Sequence, residues 1–214
     1  MDADGRMMIL GIVGSGRRGG NTHALVAEVL KAAEASGAQA QLVTLRDHCI
    51  EGCRGCEACR DDHRCVIQDD MQDLYPLLLR ADGLVLGSPV YFYNVSSRMK
   101  AFLERCYCLE AFDEEDRSCW VGVREALGGG YAAVVTVAEQ NDEQYLGFAA
   151  EAMSRPLADL GYRVVATVKA LGLWAAGEAT QDPEARATAA RAGERLARII
   201  RLRRALAAEL QDAP

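Results

Sequence analysis

Basic charge is in short supply in this chain. Its 214 residues hold 24 Lys and Arg against 31 Asp and Glu, a formal net charge of −7. Nucleic-acid binding relies on basic patches that neutralise phosphates, so this balance argues against a nucleic-acid partner. Long apolar runs are missing too: none nears the ~20 residues a bilayer span requires, so no membrane association is expected. The opening Met1-Asp2-Ala3-Asp4-Gly5-Arg6 lacks the basic and apolar segments of a signal or transit peptide, and the expected location is the cytoplasm. Histidine is scarce: His23 and His48 carry no pattern, and His63 reads as a solvated loop residue. No Ser-His-Asp or Cys-His set is present, so no catalytic acid, base or nucleophile is named. Aromatics make up only 6% of the chain.

Half of the residues are apolar, enough for a packed core. Short apolar runs alternate with helical periodicities. Strands are expected at Met7–Val13, Ala40–Leu45, Gly83–Ser88, Tyr131–Ala138 and Arg163–Leu171. Helices are expected at Asn21–Ser36, within Asp70–Ala81, after a Ser96 cap, at Tyr145–Leu160, and from Asp182-Pro183 to about Leu210 with Leu196, Ile199, Ile200 and Ala207 facing inward. Pro76 predicts that the second helix either starts near Asp73 or kinks, and Pro156 predicts a kink in the fourth. Residues 110–130 read as one long irregular connection.

This alternation predicts an α/β chain: a single flavodoxin-like domain over 1–214, with a doubly wound five-stranded parallel sheet and helices on both faces. A cysteine-rich loop, 49–66, is inserted after the second strand. Ligands of such sheets bind beyond the carboxyl ends of the strands, which singles out residues 14–22, 89–96 and 138–145.

The first of these segments, Gly14-Ser15-Gly16-Arg17-Arg18-Gly19-Gly20-Asn21-Thr22, leads from strand to helix, where free N–H groups and the positive helix end favour an anion. Its glycines match the dinucleotide spacing, but Thr44-Leu45-Arg46 stands where an acidic residue should grip a ribose. No Lys precedes Thr22, so it is not a P-loop. Ser15, Arg17, Asn21 and Thr22 suit a terminal phosphate monoester. The competing reading is a glycine-rich turn with no ligand. The second segment, Pro89-Val90-Tyr91-Phe92-Tyr93-Asn94, gathers three aromatics and an amide that suit a flat heteroaromatic ring. An aromatic loop packed over the sheet edge is the alternative. Together the two segments describe a site for a mononucleotide with a large planar base, and FMN fits that description best.

Eight cysteines are present, and four of them form Cys53-x2-Cys56-x2-Cys59-x5-Cys65. A chain that keeps its thiols reduced uses such a group for a metal or for redox chemistry. The spacing suits a [4Fe–4S] cluster ligated by Cys53, Cys56, Cys59 and Cys65. Free cysteines, a zinc site and a disulfide are the other readings. Cys49 reads as a spare thiol, Cys106 and Cys108 as buried small residues, and Cys119 is unassigned.

Gly14–Thr22, Ser88-Pro89-Val90-Tyr91 and Met99-Lys100-Ala101-Phe102-Leu103-Glu104-Arg105 together resemble the flavodoxin-like NAD(P)H-dependent FMN reductase superfamily over roughly residues 7–170. Gly16 departs from it, since many relatives have Pro there. The cysteine spacing, followed by Ile67-Gln68-Asp69-Asp70-Met71, resembles its iron–sulfur flavoprotein branch. That resemblance implies FMN, one [4Fe–4S] cluster per subunit, and a homodimer or homotetramer in which cluster and flavin exchange electrons. It implies an oxidoreductase that moves electrons from a ferredoxin-like or NAD(P)H donor to a small-molecule acceptor. The alternatives are a cluster-free NAD(P)H-dependent FMN or quinone reductase and a non-enzymatic electron carrier.

Overall fold

The computed structural model describes residues 6–211. Its sheet consists of β1 (Met8–Val13), β2 (Gln39–Thr44), β3 (Gly83–Pro89), β6 (Gly130–Val137) and β7 (Tyr162–Ala170), all parallel, in the order β2-β1-β3-β6-β7. This is the flavodoxin-like strand order. Side chains alternate faces along each strand. Leu10, Ile12, Leu84, Leu86 and Val134 enter one core, and Ile9, Val13, Val85, Val135 and Val137 enter the other.

α1 (Asn21–Ala35) and α6 (Pro183–Gln211) cover the second face. They pack so closely that a Cβ on Gly193 would lie 2.0 Å from the Val29 carbonyl oxygen. The expected Asp182 cap is formed: its Oδ1 accepts from the N–H groups of Glu184 and Ala185, each at 3.0 Å. Leu196 and Ile200 face inward and Ile199 is half-buried, but Ala207 is exposed, because the last turns of α6 have no layer against them. Among the described residues no helix is long and apolar enough to cross a membrane.

α2 (Met71–Arg80), α3 (Ser97–Arg105) and α5 (Ala149–Asp159) cover the first face. Pro76 lies inside α2, which starts two residues before Asp73. The helix begins at Met71, whose N–H donates to Asp69 Oδ1 at 3.1 Å, and it continues through Pro76. Burial of Met71, Leu74, Tyr75 and Leu78 at i, i+3, i+4 and i+7 offsets the hydrogen bond that the proline removes. α5 likewise runs continuously through Pro156 but starts later than expected, after a short 3₁₀ turn at Glu143–Leu146. Ser96 caps α3, accepting from the Met99 N–H at 3.2 Å.

Residues 110–130 are not irregular. β4 (Glu110–Phe112) and β5 (Trp120–Gly122) form an antiparallel hairpin, followed by α4 (Val123–Ala126). Asp113 and Asp116 build its turn by accepting from backbone N–H groups two and three residues on. The strands are three residues long, too short for a period-2 pattern to show in the sequence.

Candidate functional site

Three crossovers meet at the carboxyl edge of the sheet around a cleft of about 540 Å³. The first is residues 14–22. α1 has no side-chain cap and no acidic residue in its first turn, so its N-terminal N–H groups are not claimed by any capping oxygen. Ser15 and Thr22 are buried and line the cleft, as does the exposed Arg17.

Arg17 and Asn21 already have partners. The Arg17 guanidinium lies 4.8 Å from the Trp174 ring centroid, and its Nη1 donates to the Trp174 carbonyl at 2.7 Å. The Asn21 amide is a post for the segment after β7. Its Nδ2 donates to the Ala175 carbonyl at 2.9 Å, and its Oδ1 accepts from the Ala179 N–H at 3.1 Å. Leu173, Trp174 and Ala176 therefore form a wall of the cleft that the sequence reading does not include. A lone Trp between Gly172 and Gly177 is the signal that could have revealed it.

The second crossover is a two-residue hairpin turn. Tyr91 and Asn94 exchange backbone hydrogen bonds at 2.8 and 3.1 Å, and Phe92 and Tyr93 both take positive φ, 46° and 63°. Pro89, Val90, Tyr91, Phe92 and Tyr93 line the cleft. Asn94 does not; its Oδ1 accepts from the Val95 N–H at 2.8 Å and stiffens the turn.

The third crossover supplies Val137, Ala138, Glu139, Gln140 and Tyr145, with Tyr145 stacked on Tyr93 at 6.2 Å. The Phe148 N–H donates to the Tyr93 carbonyl at 2.7 Å. Gly147 permits this approach: its φ is 54°, and a Cβ there would lie 2.2 Å from the Tyr93 carbonyl oxygen.

No cysteine lines this cleft. Cys53 and Cys56 are exposed, whereas Cys59 and Cys65 are half-buried and pack against the first core. Burial pushes the Cys59 thiol up, and the neighbouring Cys65, Cys53 and Cys56 add to the rise. The four thiols do not converge on a point: among the described residues no group of three His, Cys, Asp or Glu side chains could hold a metal ion. The loop turns tightly, with positive φ at Gly55, Glu57 and His63, and the Gly55 N–H donates to Cys53 Sγ at 3.4 Å. Among the described residues, positive φ outside glycine occurs only in this loop and in the Phe92-Tyr93 turn. Such backbone costs on the order of 1–3 kcal/mol per residue, and it clusters at functional sites.

An ion pair that the sequence does not reveal closes the base of this loop. Arg105 grips Asp69 through Nη1 at 2.6 Å and Nη2 at 3.1 Å. Nη1 also donates to the Glu51 carbonyl at 3.1 Å, and Nη2 to the Ile67 carbonyl at 3.3 Å. Asp69 in turn accepts from the Glu51 N–H at 2.9 Å. Burial favours the neutral acid at Asp69, but the Arg105 hydrogen bonds and the N–H groups of Glu51 and Met71 outweigh it, holding the carboxyl below its ordinary range. Cys106 and Cys108 are buried, as expected, on the 3₁₀ turn after α3. Burial raises both thiols, that of Cys108 to about 11.

The model of the NADPH-dependent FMN reductase family matches residues 7–178. The chain belongs to that family. Among curated proteins it is 39% identical over 99 residues to an iron–sulfur flavoprotein of Methanocaldococcus jannaschii, covering 46% of this chain and 51% of the relative. It is 39% identical over 122 residues to one from Archaeoglobus fulgidus, covering 57% of this chain and 62% of the relative. Within the family its similarity is thus to the iron–sulfur flavoprotein branch, and the matched part spans roughly half to three-fifths of those relatives. Among solved structures, RosB, determined with bound 8-demethyl-8-formylriboflavin-5'-phosphate, superposes with a TM-score of 0.69 at 17% identity over 97% of this chain and 88% of that one. At that identity the likeness concerns the fold.

Proposed function

We propose that this chain is an FMN-dependent oxidoreductase of the iron–sulfur flavoprotein type, passing electrons between a [4Fe–4S] cluster, FMN and a small-molecule acceptor. The observation that carries the reading is the cleft. It joins an uncapped helix N-terminus, suited to a phosphate, to walls of Tyr91, Phe92, Tyr93, Tyr145 and Trp174, suited to a flat ring. The residues fit the group. Ser15, Thr22 and the α1 N-terminal amides would hold the phosphate, with Arg17 adding charge from the Trp174 side. The aromatic turn would hold the ring. Bound FMN supplies the capacity to take electrons in pairs or singly and pass them on. The chain contributes orientation and exclusion of water, and no side chain is assigned a proton-transfer role.

The four-cysteine loop fits a cluster by its chemistry. The donors are all thiols from one loop, and one already accepts a backbone N–H. Each cysteine of a cubane binds a different iron, so the sulfurs must ring the cluster rather than meet at one point. Zinc would require tetrahedral convergence. The relatives named iron–sulfur flavoproteins support the same reading. The donor, ferredoxin-like or NAD(P)H, and a homodimer or homotetramer belong to this proposal. Phe92 is 98% exposed at the rim of the cleft and gives a second subunit an apolar surface to cover.

The family's name favours a second reading, a cluster-free NAD(P)H-dependent FMN or quinone reductase. Titration of flavin-free protein with FMN and with riboflavin tests the shared core of both readings. Loss of two charge-assisted phosphate hydrogen bonds should weaken riboflavin by about 100-fold or more. Equal affinity for the two would overturn the phosphate assignment. Turnover of NAD(P)H with a simple quinone, by protein containing flavin but no iron, separates the second reading from the first.

A further inference from the structure

Arg105 is 1% exposed and is the largest fully buried side chain in the molecule as described. A buried ion pair rarely adds stability over apolar residues of the same volume, because desolvation consumes the Coulombic gain. Its placement therefore needs another reason. Every hydrogen bond from the guanidinium goes to the ends of the cysteine loop: the Glu51 carbonyl before Cys53, then the Ile67 carbonyl and the Asp69 carboxylate after Cys65. Gln72 reinforces the second end, donating to the carbonyls of Cys65 at 2.9 Å and Ile67 at 2.7 Å.

The backbone of Arg105 is held as firmly as its head. Its carbonyl accepts from the Tyr75 hydroxyl at 3.0 Å and from Cys108 Sγ at 3.5 Å. One donor is left over. Arg105 Nε is the single buried side-chain nitrogen or oxygen without a hydrogen-bond partner among the described residues. An orphaned donor of this kind costs on the order of 1–3 kcal/mol and calls for an explanation.

We propose that Arg105 is the positioning residue of the iron–sulfur site: its fork fixes both ends of the cysteine loop, and its unpartnered Nε–H and positive charge serve the sulfurs of the loaded loop. This rests on the iron–sulfur reading above. Its anchoring half also holds for the metal-free chain. A fixed N–H and cation beside thiolate sulfur stabilise the more negative, reduced state.

The test uses the full chain with Arg105→Lys, which keeps the charge but loses the fork and Nε, and Asp69→Asn, which keeps Arg105 but removes its counter-charge. Three quantities are read: alkylation rates of each thiol in metal-free protein by mass spectrometry, iron per chain after anaerobic reconstitution, and the reduced fraction of the cluster at a fixed ambient potential. In Arg105→Lys, Cys59 and Cys65 should react at least tenfold faster, while buried Cys106 stays protected and FMN uptake is unchanged. Iron content should fall severalfold. In the molecules that do load, the ratio of reduced to oxidised cluster should drop about tenfold, the worth of one charge-assisted hydrogen bond. In Asp69→Asn that ratio should rise.

Wild-type alkylation rates together with full iron loading and an unshifted potential in Arg105→Lys would overturn the proposal. If Arg105→Lys exposes Cys106 and so fails to fold, Asp69→Asn decides by the same three quantities. Wild-type protein that takes up no iron would sink the iron–sulfur reading and with it the sulfur-serving half. The alkylation rates would then still support or refute the anchoring half.

Discussion

The cleft at the sheet edge and the cysteine loop beside α3 are secured by different kinds of bond. The cleft is made of segments that leave four parallel strands, β1, β3, β6 and β7, and they are held by many separate contacts: the Tyr91–Asn94 bridge, Ser96 Oγ on the Gly14 carbonyl at 2.7 Å, Asn21 on both sides of the Ala175–Ala179 segment, and Arg17 on the Trp174 carbonyl. The cysteine loop leaves the sheet after β2, and at its base a buried charged pair, Arg105 with Asp69, joins the bonds that Gln72 makes to the Cys65 and Ile67 carbonyls and those between Cys49 and Asp70. A site with distributed support loses little when one contact is removed. A site built on a buried charged pair loses more when one partner goes, because the other charge is left buried and uncompensated.

The largest effect follows from breaking that pair outright. Arg105→Met leaves the Asp69 carboxylate, only 8% exposed as a side chain, without its cation. The expected loss is about 3–5 kcal/mol, read by urea unfolding. Asn21→Ala is the matching change at the cleft and removes two hydrogen bonds between neutral groups. It should cost about 1–3 kcal/mol and speed amide exchange at Ala175 and Ala179 without exposing Cys59. A loss as large as that of Arg105→Met would break the contrast.

Acid sharpens the same comparison. Asp69 sits below its unfolded value of about 3.9, so its contribution is fully present above that pH and is lost as pH falls through the lower folded value. Alkylation of Cys59 and Cys65 in metal-free protein, relative to the exposed Cys53, should rise in that acid window, and Asp69→Asn should abolish the dependence. Asp69 does not line the cleft, and FMN affinity should show no Asp69-linked step. The smallest effect belongs to Arg117→Ala on the hairpin. That side chain reaches Glu57 and the Tyr107 hydroxyl from solvent, and its removal should leave the melting temperature unchanged.

Much of the fold was legible because it follows from periodicity and caps. Asp182-Pro183 and Ser96 start helices where their chemistry demands, and the strand-helix alternation leads to the β2-β1-β3-β6-β7 order. The hairpin escaped notice because its strands are too short and its turn is an acidic run that reads as a solvated loop. At the site, the motif placed Ser15, Thr22 and the aromatic turn on the cleft. It did not show that Asn21 and Arg17 also hold the segment after β7, because such contacts join residues over 150 positions apart. Arg105 was hidden for a related reason. At the end of a helix an arginine reads as surface, and only tertiary packing brings Asp69 and the Glu51 and Ile67 carbonyls to it.

The two-site account is tested most directly by counting flavin and iron in anaerobically prepared wild-type protein and in Cys56→Ala. It predicts one FMN and about four irons per wild-type chain, and one FMN with no iron in the variant. A colourless wild-type chain that fails to take up FMN, or a variant that loses flavin together with iron, would contradict it.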